Sequence, residues 1–306
     1  MSTTISLTRN MIAVAIAQIA EPGDKLLLQV LQSYPGDRID AYTAFLADLQ
    51  SDSVALPRGS DINDQDTVTM WKQRLSITVM NHGDQLMISS RMTVILPGEP
   101  DWPAGLDRLQ LEAPRVLFAL GNTGLITSPR PRVSIVGARA ATAYGENITM
   151  ELAQNLCDKG VTLISGAAYG IDGMVHRAAL ASNGSTIAVV AGGLDRLYPA
   201  GNASLLQLIG TAGLVLSEMA PGMPPTKHRF LQRNRIIAAL GEALVIPEAG
   251  ARSGSLNTAY WADKIGTPIG ALPGPITSAA SQGSNGLIRS KQARLLMDAA
   301  DVLELL

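Results

Sequence analysis

The sequence has one cysteine, few aromatic residues and no excess of positive charge. A lone Cys157 excludes an internal disulfide and any cysteine-rich metal centre, and it fits a reducing cytosol. Aromatic residues make up only 4% of the 306, so the core has to be aliphatic. With 24 basic against 26 acidic side chains the formal net charge is −2, and no global field draws in nucleic acid. A polyanion site must therefore come from local clustering. No uninterrupted apolar run is long enough to span a bilayer and no basic-then-apolar leader opens the chain. A soluble, cytoplasmic protein without membrane contact is expected. Two phosphate-loop signatures are missing as well. Gly137 is followed by Ala138 and Arg139, Gly145 comes too late for the G-x-G-x-x-G spacing, and no Walker lysine is present. A nicotinamide dehydrogenase or P-loop ATPase is disfavoured, and no cofactor or metal is expected.

What is present is an aliphatic α/β pattern, with 46% hydrophobic and 16% charged residues. The organising stretch runs from Arg132 to Asp172: an apolar β-branched run at Val133 to Val136, a turn at Gly137-Ala138-Arg139, an amphipathic segment, and a second apolar run at Val161 to Ile164. This is a βαβ unit. Further apolar runs at 187–190, 214–216, 244–246 and 269–272 alternate with helical patterns. The expected fold is α/β, an extended Rossmann-like, doubly wound and mainly parallel sheet with right-handed crossovers. In such a sheet Gly137 to Arg139 and Ser165 to Asp172 should meet at one crevice. Residues 1–91 read as a small helical module, with helices expected over 7–20, 25–34, 41–49 and 67–76; His82 beside Gly83 reads as a solvated turn residue. Residues 92–306 read as the Rossmann-like domain. It is entered through a proline-rich irregular segment and a short strand at 116–120, and it ends in a helical tail over 286–306.

Chemistry is expected in the loops that leave the strands. Glycines at 137, 166, 170, 173, 192, 193, 250 and 254 let backbone N–H groups approach an anion. Arg139 sits at a strand end beside a helix start, where a guanidinium forks onto phosphate oxygens. Its alternative is a surface pair with Glu146. The densest charge lies at Lys227-His228-Arg229-Phe230-Leu231-Gln232-Arg233-Asn234-Arg235, where four fixed positive charges and no acid occur in nine residues. Basic groups interleaved with an aromatic ring suit a single strand of nucleic acid. The other reading makes Phe230 a core residue and pairs the arginines with Glu218, Glu242 or Glu248. At Glu248 to Ser255 a strand runs into a helix, where Ser253 and Ser255 can cap and leave N–H groups free for an anion, with Gly254 between them. Asp172 and His176 are the one acid–histidine pair in a candidate site loop, and helix capping explains them better than hydrolysis.

At these residues the chain resembles the DNA-processing protein A family, also called DprA or Smf. The matching pieces are Val133 to Arg139, Ser165 to Asp172 with His176, Gly193-Leu194-Asp195 with Tyr198-Pro199 and Asn202, Ser217-Glu218, Phe230 with Arg233 to Ala238, and Glu248-Ala249 with Ser253-Gly254-Ser255. They stand in order across roughly Pro97 to Leu306. The resemblance implies a non-enzymatic protein that binds and protects incoming single-stranded DNA. It also implies a homodimer that helps load the RecA recombinase in recombination and natural transformation. Carried over, Arg139 matches the arginine of the family's glycine-x-arginine motif. Lys227 and Phe230 fall where a basic residue and an aromatic contact DNA, with Arg233 and Arg235 behind them, and Gly137, Gly166 and Ser253 to Ser255 supply backbone donors. Tyr169 stands where many members carry a basic or small residue, and no counterpart of the winged-helix domain of many members is read before Leu306. The rival is a nucleotide-binding sensor or phosphoribohydrolase-like enzyme of the same fold superfamily, using Glu248 and Ser253 to Ser255. Those relatives carry a glycine-glycine-x-glycine-threonine loop where this chain reads Ala249-Gly250-Ala251-Arg252-Ser253-Gly254. A third reading is an interaction scaffold whose DNA site has decayed.

Overall fold

The computed structural model describes residues 7–306, and its amino-terminal part is all helix. Five helices begin where a side-chain oxygen caps free N–H groups: α1 (Arg9–Ile19) at Thr8, α2 (Lys25–Gln32) at Asp24, α3 (Arg38–Gln50) at Asp37, α4 (Ile62–Arg74) at Asp61 and α5 (Ile77–Ser89) at Ser76. Asp61 and Asp64 cap reciprocally. α1 is apolar almost all round and forms the buried axis of the module, packed by Tyr42 and Phe45 of α3 and Trp71 of α4. The expected helices are all present, but α5 is additional. His82 is an exposed residue of that helix and not of a turn. Gly83 does not break α5 because it permits close approach: a Cβ there would lie 2.8 Å from Val14 of α1.

The rest of the chain is organised on one nine-stranded sheet: β1 (Thr93–Ile95), β2 (Leu117–Gly121), β3 (Arg132–Ile135), β4 (Thr162–Ser165), β5 (Thr186–Val190), β6 (Leu214–Ser217), β7 (Ala243–Ile246), β8 (Ile269–Ala271) and β9 (Arg294–Leu295). The spatial order is β1-β2-β6-β5-β4-β3-β7-β8-β9. Pairing is parallel from β6 through β9, and β1 and β2 add an antiparallel edge. The six apolar runs become β3 to β8, as the alternation predicts. β1 is missed because three residues beside Pro97 leave too little pattern. The tail is also more broken than its spacing suggests, as α12 (Gln282–Arg289), β9 and α13 (Ala299–Leu303).

Successive strand residues feed opposite faces. In β5, Ala188 and Val190 enter the core shared with the helical module, while Ile187 and Val189 enter the core under the helices opposite. The first face also carries α7 (Ala143–Asp158), α8 (Ile171–Ala181) and α9 (Ala203–Ala212). The second carries the short α6 (Gly124–Thr127), α10 (Lys227–Leu240), α11 (Ser255–Lys264) and a 3-10 segment at Ala104–Glu112. β4, β5 and β6 extend from β3 to one side, and β7 and β8 to the other. The winding therefore reverses between β3 and β7, and the carboxyl ends there open a crevice.

Candidate nucleic-acid interface

Three loops meet at that crevice. Ala138 N–H donates to Glu248 O (2.8 Å), and Ile171 N–H donates to Ala138 O (3.1 Å). Gly137 N–H donates to the Asp172 carboxylate (3.3 Å). The expected meeting of Gly137 to Arg139 with Ser165 to Asp172 is thus present, with the loop after β7 alongside. Gly137 has no room for a side chain, since a Cβ would lie 2.6 Å from Ile171 and 2.8 Å from Glu248 O.

The loops enclose an inner pocket of about 480 Å3, counting its open mouth, walled by Gly137 and Arg139, by Phe230, Arg233 and Asn234, and by Ser253 to Ser255. An outer groove of about 1340 Å3 continues from it, sharing Arg139, Phe230, Ser253 and Gly254 and adding Tyr198, Lys227 and Arg252. Phe230 is the pivot between them. The guanidinium carbon of Arg139 lies 5.2 Å from its ring centroid and that of Arg233 5.8 Å, both in cation–π range. Tyr198 stands 5.9 Å away at a 60° tilt. Arg139 is exposed and, among the described residues, has no ion pair, so the alternative pairing with Glu146 does not form.

α10 presents one face to this space because residues three, four and seven apart share a side of a helix. Lys227, Phe230, Leu231 and Asn234 have that spacing and all border the pocket or groove. Asn234 ties α10 to α11 through Asn257 (3.1 Å) and Gly254 O (3.3 Å). Arg233 forms the buried floor. Its Nη1 donates to Val189 O (2.7 Å), while its buried Nε has no partner. Gly166 is buried beneath it and does not line the pocket; a Cβ at 166 would overlap the guanidinium. Burial pulls the Arg233 pKa down to about 10, which leaves it charged at neutral pH. Burial also raises the Asp172 carboxyl, with Arg233 pulling it back. The two make no direct ion pair, so Arg233 is a buried cation without a touching counter-ion, a costly arrangement that an external anion would relieve.

Arg235 is the correction. Five residues past Phe230 it points about 140° around the helix, away from the groove. It is fully buried, with Nη2 donating to both Glu218 oxygens (2.8 Å each) and Nε to Glu112 O (2.5 Å). Arg229 is also spent internally, donating to both oxygens of Glu21 at 2.9 and 2.8 Å and so clamping the helical module to α10. Of the basic run, only Lys227 and Arg233 border the pocket or groove. Pairing with Glu218 was one of the alternatives open from the sequence, and for Arg235 it holds.

The serine-rich loop behaves partly as expected. Ser253, Gly254 and Ser255 line the inner pocket at the start of α11, but the two hydroxyls bond each other (2.7 Å) and no side chain caps the helix. Glu248 is buried and both of its oxygens are held by Thr142, from N–H (2.9 Å) and from Oγ1 (2.6 Å), so it does not reach the pocket. Asp172 and His176 go separate ways. The His176 Nδ1 meets Thr186 Oγ1 (2.7 Å), and burial depresses the ring pKa to about 3. Tyr198, Arg252, Asn234 and Thr258 also line the site. The helical spacing of Asn234 from Phe230 signals its place; Tyr198 stands with Pro199 among the pieces of the resemblance but with no contact role, and a separate loop brings it to the groove. Among the described residues no cluster of metal-ligating side chains occurs and no helix is long and apolar enough to cross a membrane.

Comparison with known proteins agrees with this architecture. Residues 93–306 match the model of the DNA recombination-mediator protein A family. A DprA-type relative from Mycobacterium tuberculosis is 44% identical over 230 residues, 72% of this chain and 59% of that one. The DNA processing protein DprA of Bacillus subtilis is 38% identical, covering 63% of this chain and 64% of its own. The chain thus spans about three fifths of these relatives' length. The X-ray structure of Streptococcus pneumoniae DprA superposes with a TM-score of 0.76 at 29% identity, covering 98% of both chains. The Helicobacter pylori DNA processing protein A, solved for its single-stranded DNA binding mode, superposes at 0.64 with 32% identity over 70% of this chain and 94% of that one. Motif order, extended Rossmann-like sheet and relatives converge, and the chain belongs to the DNA recombination-mediator protein A (DprA/Smf) family.

Proposed function

We propose that this chain binds single-stranded DNA in the crevice without cutting it. One observation carries the reading: Arg139 and Arg233 flank one aromatic ring, and neither is neutralised by a touching carboxylate. Phosphates supply the missing negative charge, and the Phe230 ring with its neighbours supplies a surface for bases. Lys227 extends the positive lining outwards and Gly254 N–H, at the start of α11, adds an uncharged donor; the N–H groups of Gly137 and Ser253, expected as donors, are spent on Asp172 and Gly250 O. Gly166 acts from beneath, by leaving room for Arg233. Contacts to backbone and ring faces carry little sequence information, so base preference is slight.

In this reading residues 92–306 form the DNA-binding domain and residues 1–91 the helical module clamped to it. The protein works as a homodimer in which two grooves engage one strand and raise avidity. It protects incoming single strands and hands them to the RecA recombinase during transformation and recombination, in the cytoplasm. Family membership and the single-stranded DNA binding mode of the Helicobacter relative support the DNA-binding part of this role. A phosphoribohydrolase-like reaction has less support, because Glu248 is committed to Thr142.

Anisotropy of labelled oligo-dT against duplex of equal length, at two salt concentrations, tests the proposal. Tighter binding to the single strand, weakening as salt rises, is expected. Equal binding to duplex, or none to either, overturns it.

A further inference from the structure

We propose that the strand does not end at Phe230 but runs on over a platform of two tyrosines, Tyr198 and Tyr169, each ring taking one base. The inference rests on the groove reading above. Tyr198 is 47% exposed, borders the outer groove and leans on the edge of the Phe230 cluster. Tyr169 is 51% exposed and directly follows Ala168, which lines the inner pocket. Its hydroxyl accepts from Gly201 N–H (3.3 Å), only three residues beyond Tyr198. A Cβ at Gly201 would lie 2.9 Å from Tyr169 Cε1, so the glycine lets the ring lie against that loop.

Both rings stand on backbone that is held in place. Asn202 donates its amide to Ala167 O (3.0 Å) and Ala168 O (3.1 Å), pinning the Tyr198 loop to the Tyr169 loop. Two half-exposed rings on pinned loops present apolar faces to water, and base stacking covers such faces without reading sequence. Cations accompany them. Arg177, which donates to Asn202 (3.0 Å), and the exposed Arg196 make no ion pair among the described residues. The one acid of this loop, Asp195, is occupied by Gly222 N–H (2.7 Å). Asp195 keeps its charge, but the two guanidinia outnumber it by one, and the phosphates linking the stacked bases meet a net positive rim.

The test uses the full chain and oligo-dT of increasing length. Wild-type affinity should climb with length until groove and platform are filled. Tyr169→Ala and Tyr198→Ala should each lose roughly tenfold on long oligomers and reach their plateau at shorter length, while Tyr169→Phe and Tyr198→Phe keep wild-type behaviour. Iodouracil-substituted oligo-dT should photo-crosslink to both tyrosines. Arg139→Ala serves as the control for the groove and should weaken every length. If Arg139→Ala weakens binding while both alanine variants match wild type on long oligomers, the platform is rejected and the groove stands. If Arg139→Ala is silent too, the groove reading fails and takes the platform with it.

Discussion

The Arg139 guanidinium lies 5.2 Å from the centroid of the Phe230 ring, joining the loop after β3 to the first turn of α10 across the crevice. This contact brings the two most informative stretches of the sequence to one place. It also leaves the guanidinium exposed, so its charge is available to a ligand.

Arg139→Ala should weaken oligo-dT binding and reduce its salt dependence by about 0.7 slope units per lost phosphate contact. Lys227→Ala should do the same from the outer groove. Neither side chain has an ion pair among the described residues, so thermal stability should hold. Unchanged affinity and slope in both variants would reject the groove.

Phe230→Ala should cost about 1–3 kcal/mol of binding, the range for loss of one base–aromatic stack. Because the ring also seats Arg139 and Arg233, the salt slope should change as well. Loss of affinity at constant slope would assign the ring to stacking alone.

Gly166→Ala adds no charge and touches no ligand, yet it should reduce affinity by displacing the Arg233 guanidinium from Val189 O. Combining it with Arg233→Ala should show strong non-additivity, since both act through one side chain. Additive losses in the double variant would separate the two residues.

Arg235→Met should destabilise the fold by about 3–5 kcal/mol, because it strands the buried Glu218 carboxylate. Replacing Glu218 by Met as well should recover much of that loss. Oligo-dT affinity of the folded fraction should remain near wild type, read from titrations well below the melting transition; a selective binding defect would return Arg235 to the groove.

His176 makes stability depend on pH. Its pKa is depressed to about 3 from the usual 6.5 by burial, so the unfolded chain binds a proton that the folded chain refuses. The contribution is fully present above pH 6.5 and is lost as pH falls towards 3, at a slope approaching 1.4 kcal/mol per pH unit. The raised Asp172 works in the opposite direction, so the informative quantity is the difference between His176→Asn and wild type. Chemical denaturation from pH 6.5 down to 4.5 should show a shallower slope for the variant, and parallel curves would refute the assignment.

Much of this protein is determined locally. Alternating apolar runs and helical spacing specify β3 to β8 and the helices between them, because strand and helix periodicity follow from backbone geometry alone. Parallel strands joined by right-handed crossovers then oblige the strand-end loops to share one edge, which is why the crevice between Gly137 and Ser255 is legible in the sequence. α5 and β1 escaped that reading for local reasons: Gly83 looks like a breaker unless Val14 is known to press against it, and Thr93–Ile95 is too short to show a period.

Which charges face the ligand was decided only by tertiary structure. Lys227, Arg229, Arg233 and Arg235 look alike along the chain, yet one is exposed, one clamps Glu21, one floors the pocket and one neutralises Glu218. A guanidinium's role depends on the carboxylates and carbonyls within a few ångströms. Those partners lie 17 to 208 residues away along the chain, brought there by the winding of the sheet and, for Glu21, by the packing of the helical module.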